Sequence, residues 1–373
     1  MRCNRPEWGS LPRSAEDCGA VSHGGSRTRV EGHGMEGMME RMREFDVISV
    51  GDITTDAIVR LFDDDARVYE DAEGKWLAIP FGTKLPFEEA YIMEAVGNAS
   101  NAAVSFARLG LTTGFVTNVG GDKHGIDMIN ALHDNNVDTR FVRVNPNNAS
   151  NYHYALWYKD ERTMLIKHES YEYHWPELRP EEVPGWLYFS SVSKHAMKFH
   201  DEIADWIEKH PGSKLAFQPG TYQLEAGPER LKRIYQATEV LILNREEAAL
   251  VSGAPHDDVH GLLDRLHDLG PGTVVITDGP DGAYASDGST HWTVPIYPNP
   301  RPPFERTGAG DAFASTFVTA LVKGKTVEDA LRWAPINAMH VVQYVGAQEG
   351  LLSSTALERL LHDAPESYRA RPF

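Results

Sequence analysis

The stretch "FERTGAGDAFASTF", Phe304 to Phe317, decides how the chain reads. Three small residues, Gly308, Ala309 and Gly310, stand between Thr307 and Asp311, and an apolar-periodic segment follows at once. Taken alone, this is a capped helix start. Its chemistry suggests more. Small residues at a helix N-terminus leave backbone N–H groups bare, and with the helix dipole those groups attract anions. A carboxylate beside such a cradle makes sense if Asp311 takes a proton from a nucleophile while the N–H groups hold a phosphoryl group in flight. In the helix predicted over 311–323, Phe313, Phe317 and Leu321 recur every fourth residue, which is a core-packing stripe.

Upstream, apolar runs end in polar or glycine residues: "FDVISVGD" (45–52), "TTGFVTNVGGD" (112–122), "GWLYFSSV" (185–192), "SKLAFQPG" (213–220), "EVLILN" (239–244) and "GTVVITDG" (272–279). Between them lie amphipathic helix candidates at 102–109, 125–133, 245–252 and 257–269, each of them but 125–133 followed directly by glycine. In 125–133, Ile126, Ile129 and Leu132 are expected on the buried face. This alternation predicts an α/β fold, a mostly parallel sheet with helices on both faces. Two regions break it. Residues 57–81 and 151–168 are rich in aromatic and β-branched residues and read as one small sheet, a lid over the site. The same sheet serves equally as an oligomerisation surface.

In such folds ligands bind beyond the carboxyl ends of the strands. The polar strand ends are therefore the candidates: Asp52 and Asp56, Asp122, Asn244 with Glu247, Thr277 with Gly279, and Thr307 to Asp311. "GDITTD" is not a dinucleotide fingerprint, and no GxxxxGK[ST] loop is present.

The chain has 373 residues, 41% of them hydrophobic, with a net charge of −18. That charge argues against nucleic-acid and anionic-membrane partners. Both cysteines, Cys3 and Cys18, precede the body, which excludes a disulfide framework or a Cys-ligated zinc within it. Residues 1–43 are rich in Gly, Arg and Ser without period and read as a disordered extension without an apolar signal core. A cytoplasmic protein is expected.

Seven motifs, in order over residues 45–350, resemble those of the ribokinase (PfkB) family of carbohydrate and nucleoside kinases. They are "VGDITTD" (50–56), "VGNASNAAVSFARLG" (96–110), "NVGGDKHG" (118–125), "NREE" (244–247), "ITDGPDG" (276–282), "ERTGAGDAFAS" (305–315) and "YVGAQEG" (344–350). The resemblance implies a three-layer α/β/α sandwich over residues 44–373 with a β-sheet lid, and a homodimer through the lid sheet is expected. It implies ATP as co-substrate, Mg2+, and K+ as a further cofactor. Asp311 resembles the base, and Gly308, Ala309 and Gly310 the anion hole. Asp56, Gly97, Asn98 and Asn101 resemble sugar contacts. Asn244, Thr277, Gly279, Gly282 and Asn337 resemble nucleotide contacts. Glu247, with Asn244, resembles the residue that organises magnesium through water. Glu305, the Thr307 carbonyl and Gly346 resemble a monovalent-cation site.

The sequence departs from the family pattern at Val96 (Gly in the family), Glu305 (Asp) and Arg306 (small polar), and "SSVSKH" (190–195) lacks the usual acid. The acceptor stays open between a sugar, a nucleoside and a sugar phosphate. Tyr152, Tyr154 and Trp157 are candidates to stack on a base. Lys167, His168, Lys194 and His195 are candidates to face a phosphate. A non-catalytic binder of the same fold is the alternative to an enzyme.

Overall fold

The computed structural model describes residues 43–72, 74–159 and 161–373. The expected disordered extension therefore lies outside the described residues, except for Arg43. The first strand, β1 (Val47–Val50), leads directly to β2 (Thr54–Arg60). A ribbon of β3 (Arg67–Asp71) and β4 (Gly74–Ala78) follows, then β5 (Glu89–Val96). The chain returns through α1 (Asn98–Arg108), β6 (Thr113–Gly120), α2 (Lys123–Asp134), β7 (Val137–Asp138) and β8 (Val142–Asn145). The hairpin β9 (Tyr152–Tyr158) and β10 (Glu161–Leu165) precedes β11 (Trp186–Phe189), α3 (Met197–Lys209) and β12 (Lys214–Phe217). Helices α4 (Thr221–Arg230) and α5 (Lys232–Ala237) lead to β13 (Thr238–Asn244), α6 (Arg245–Ser252), α7 (Val259–His267) and β14 (Thr273–Thr277). Last come β15 (Ala283–Ser286), β16 (His291–Val294), α8 (Ala309–Val322), α9 (Val327–Val341), α10 (Ser354–His362) and β17 (Arg371–Pro372).

The main sheet runs β17-β16-β15-β14-β13-β12-β11-β1-β6-β7, with β8 beside β6. From β14 to β7 every pairing is parallel, and β15, β16 and β17 close that edge antiparallel. Period-two alternation splits each strand between two cores. Leu241 and Leu243 join Phe189, Phe217, Phe199 of α3 and Leu262 of α7 on one face. Val240 and Ile242 join Tyr188, Phe106 of α1 and Phe313 and Phe317 of α8 on the other. Both faces of the sheet are covered, so its strands read as near-continuous apolar runs.

The lid sheet is β10-β9-β2-β5, and β2 pairs parallel with β9. This corrects the expectation of one sheet from 57–81 and 151–168. The strand at 74–78 pairs with 67–71 in a separate ribbon, and 89–96 takes its place beside β2. In α2, Ile126 is exposed and Met128 and Leu132 carry the buried face. Lys123 opens that helix two residues earlier than read, because Asp122 caps it by accepting from the Gly125 N–H at 2.9 Å.

Candidate active site

A cleft of about 410 Å³ opens where the lid meets the carboxyl ends of β12, β13 and β14. Asp311, on the first turn of α8, lies at its centre. The side chain is buried, and three amides hold it. Asn101 Nδ2 donates to Oδ2 at 2.8 Å, and Asn98 Nδ2 and Gln218 Nε2 donate to Oδ1 at 3.1 and 3.3 Å. Burial pushes the Asp311 carboxyl above the ordinary carboxylate range, while the bonds from Asn101, Gln218 and Asn98 pull it part of the way back. Gln218 is itself oriented by the Tyr188 hydroxyl, which donates to its Oε1.

Gly308 caps α8 with φ 80°, a left-handed conformation that favours glycine. The opening turn of a helix leaves its first N–H groups without intrahelical partners. Gly308 and Gly310 line the cleft beside Asp311. Ala309 differs from expectation: its N–H turns back toward the Arg306 carbonyl at 3.4 Å, and its side chain packs on the core.

At the ends of β13 and β14, Asn244 and Glu247 close a reciprocal cap at the start of α6. Asn244 Oδ1 accepts from the Glu247 N–H at 2.8 Å, and Glu247 Oε2 accepts from the Asn244 N–H at 2.9 Å. Both line the cleft with Thr277. Burial raises the Glu247 carboxyl, and the charges of Glu246 and Asp311 raise it further. Two carboxyls facing one cleft suit a divalent cation. Among the described residues no group of three or more His, Cys, Asp or Glu side chains forms a metal cage. Magnesium needs none, since it keeps waters and takes one or two carboxylates with substrate phosphates. Glu247 thus fits the role expected of it.

At the lid end, Asp56 and His153 lie side by side, His153 Nδ1 being 3.3 Å from Asp56 Oδ1. His153 Nε2 and Asp56 Oδ1 are buried without hydrogen-bond partners. Asp52, one strand end away, accepts from the Tyr173 hydroxyl at 2.7 Å, and burial pushes its carboxyl up to about 6.

The family model for pfkB family carbohydrate kinases matches residues 88–354. The ribokinase of Bacillus subtilis (strain 168) is 30% identical over 271 residues, 71% of this chain and 87% of that protein. The chain belongs to the PfkB family of carbohydrate kinases. This family member is also 25% identical to a nucleoside kinase of Methanothermobacter thermautotrophicus, over 68% of this chain and 80% of that one. Its fold matches the structure of Arabidopsis thaliana ribokinase complexed with ribose and ATP at a TM-score of 0.69. That match has 21% identity and covers 85% of this chain and 98% of the other. The chain is a sugar or nucleoside kinase, a phosphotransferase.

In this kinase the structure gathers Asp56, Gly97, Asn98, Asn101, Asn244, Glu247, Thr277, Thr307, Gly308, Gly310 and Asp311 around one cleft. Other expected residues make contacts within the protein that the sequence did not announce. Asn98 and Asn101, expected on the sugar, donate to Asp311. Asn337, expected at the nucleotide, is wholly buried: it donates to Thr316 Oγ1 at 2.8 Å and accepts from the Leu352 N–H at 2.9 Å. It ties α8 to α9 and offers no atom to a ligand. Gly282 lies beyond the cleft-lining residues, and a Cβ there would sit 2.0 Å from the Val294 carbonyl, so close packing requires the glycine. Gly279 begins the short turn after β14 and does not line the cleft either. The third member of the expected cation site, Gly346, donates its N–H to Glu305 Oε2 at 2.8 Å, and the guanidinium of Arg162 lies on that same carboxylate.

Gln218, His153 and Arg162 escaped the sequence reading. Gln218 carried a signal, being the first polar residue after an apolar strand. We predict that Gln218→Leu folds normally, lowers turnover several-fold, and moves the acid limb of the pH–rate profile upward. Losing an amide donor to the carboxylate removes one interaction that favours its charged form. Steady-state rates from pH 5 to 9 check this; an unmoved limb removes Gln218 from the base's environment.

Proposed function

We propose that this kinase transfers the γ-phosphoryl group of ATP to a hydroxymethyl group of an unphosphorylated sugar, with Asp311 as the base. The observation that carries the reading is the placement of Asp311, buried between amide donors and beside the α8 N-terminus. The substrate hydroxyl gives its proton to the Asp311 carboxylate. Its oxygen forms the new P–O bond as the bond to the leaving diphosphate oxygen breaks. N–H groups around Gly308 and Gly310 hold the charge gathering on the transferred group, a contribution of ~3–4 kcal/mol per donor in comparable sites. Glu247 would hold magnesium beside the transferring phosphates, where the ion would supply charge neutralisation. The Arabidopsis relative's complex with ribose and ATP supports ATP as donor.

Three observations favour a neutral polyol. None of the residues lining the cleft is Lys or Arg. Lys167 is paired with Glu169, Lys194 and His195 are exposed away from the cleft, and His168 faces Asp52. Asp56 and His153 present free polar atoms of the kind that bind adjacent hydroxyls. Tyr152 and Tyr154 line a separate cavity outside the cleft, and Trp157 is covered by Phe304 at 5.7 Å, so these rings do not form a base-stacking platform.

The kinase works in the cytoplasm in this reading, where ATP is supplied. It dimerises through the lid, which exposes Tyr154, Met164, Leu165 and Ile166. Among the described residues no helix is long and apolar enough to cross a membrane.

The deciding experiment is ADP release from ATP and magnesium against panels of sugars, sugar phosphates and nucleosides. A neutral sugar should respond most strongly. A nucleoside or a sugar phosphate as the sole responder overturns the substrate class. No response to any panel, with the protein folded, overturns catalysis in favour of a binding role.

A further inference from the structure

We propose that the guanidinium of Arg162 does in this chain the work of a monovalent cation at the anion hole, and that the kinase is therefore indifferent to K+. The proposal rests on the kinase reading only for what the site positions, not for its test.

Arg162 lies on β10, in the lid hairpin. Its side chain crosses to the loop before α8, where it meets Glu305 and Thr307, and it also lies over Trp157 of β9. Its Nη2 forms an ion pair with Glu305 Oε2, both side chains being almost fully buried. Its Nη1 donates to Thr307 Oγ1 at 3.1 Å. The guanidinium carbon stands 4.8 Å from the centroid of Trp157, whose other contacts include Phe304 at 5.7 Å. Glu305 Oε2 also accepts from the Gly346 N–H at 2.8 Å.

These are the residues at which the family resemblance implied a monovalent cation, and the cation does not fit them as they stand. Glu305 is already neutralised by a guanidinium. The oxygen that would ligate the ion faces one cationic nitrogen and one N–H donor. A second positive charge beside a single buried carboxylate would be desolvated without a partner, which is costly.

The guanidinium also replaces what such an ion would do. It holds Thr307, the residue next to Gly308. Through Glu305 it fixes Gly346, and Ala347 follows with its Cβ against Gly308. Arg162 is thus a positioning residue for the anion hole. It has one property an ion lacks: it belongs to the lid. When the lid hairpin leaves, the charge leaves with it, so the anion hole is organised only under a closed lid.

Removing the guanidinium should uncover a cation site. Glu305 Oε1 is already buried without a hydrogen-bond partner. In Arg162→Ala the whole carboxylate would demand a cation.

The test is thermal melting of the full chain in KCl against equal N-methyl-D-glucamine chloride, joined by turnover on whichever acceptor the panels reveal. Melting needs no substrate, so failure of the kinase reading would show as silent panels while the melting result stood. Wild type should melt alike in both salts. Arg162→Ala should melt lower in the bulky salt and regain several degrees in K+, as binding to the native state alone requires. Its turnover should be stimulated roughly tenfold by K+, an ordinary coupling between sites. Arg162→Lys should stay indifferent, because the ammonium restores the charge. Wild type stabilised by K+ over N-methyl-D-glucamine overturns the proposal. So does Arg162→Ala with no K+ response. If that variant fails to fold, Arg162→Gln takes its arm with the same expectations, and the wild-type comparison still decides.

Discussion

Asp311→Asn should keep its fold and its affinity for substrate while losing turnover by ~10²–10⁴-fold, the range a positioned general base supplies. Asparagine has the same shape and keeps Oδ1 for the donors Asn98 and Gln218, while Asn101 loses the acceptor that Oδ2 gave it. It cannot take the hydroxyl proton. The loss therefore belongs in kcat with KM nearly unchanged. The wild-type profile of rate against pH should fall on the acid side as Asp311 protonates. Because burial raises the group, that limb lies above the ordinary carboxylate range. Stability should move the other way. A carboxyl raised in the folded state stabilises fully only below its unfolded pKa, and loses that contribution as pH rises through the folded value. The variant should thus gain on wild type in melting temperature as pH climbs toward neutrality. Rates and melts from pH 5 to 9 check both halves. Unchanged turnover removes Asp311 from the mechanism.

How much of this was legible before the fold was known follows from the range of the forces involved. Strands such as 239–244 read clearly because both faces of the sheet are covered, and a buried parallel strand is one apolar run. The cap between Asn244 and Glu247 is local, three residues apart, and its motif was visible for the same reason. The lid was not readable strand by strand. The segment 89–96 mixes Glu89 and Glu94 with Ile92 and Met93, and nothing local says that it pairs with 54–60. The pairing is chosen by the whole sheet. Ile126 and Met128 could each have faced inward; packing against β5 and β6 decided for Met128. The site divides in the same way. Asp311 and the glycines before it announce themselves in five residues. Arg162 reaches Thr307 from 145 positions away, and no spacing rule covers such a distance.

The two glycines of the proposed anion hole should separate stability from catalysis. Gly308 has φ 80°, and a Cβ there would meet the Cβ of Ala347 at 2.4 Å and its Cα at 2.6 Å. Gly308→Ala therefore carries both a backbone penalty of about 1 kcal/mol or more and a clash with Ala347, whose backbone must shift to relieve it. Melting temperature and turnover should fall together. Gly310 is different. It sits within the first turn of α8, and the nearest atom to an added Cβ is Gln218 Nε2 at 3.9 Å. Nothing in the folded chain resists the methyl group, and alanine in a helix is favoured over glycine by roughly 0.5–1 kcal/mol. Gly310→Ala should thus melt at or slightly above wild type. Yet the methyl projects into the cleft beside Asp311, where the transferring group must approach the N–H donors. Displacing that group from one donor costs about 10²–10³ in turnover. A variant that is more stable and nearly inactive cannot be explained by damage to the fold, so Gly310→Ala tests the anion hole more sharply than Gly308→Ala. If Gly310→Ala retains wild-type turnover, the phosphoryl group does not pass over this turn, and the assignment of the α8 N-terminus fails. The pair of measurements needs only melting curves and steady-state rates on one responsive substrate.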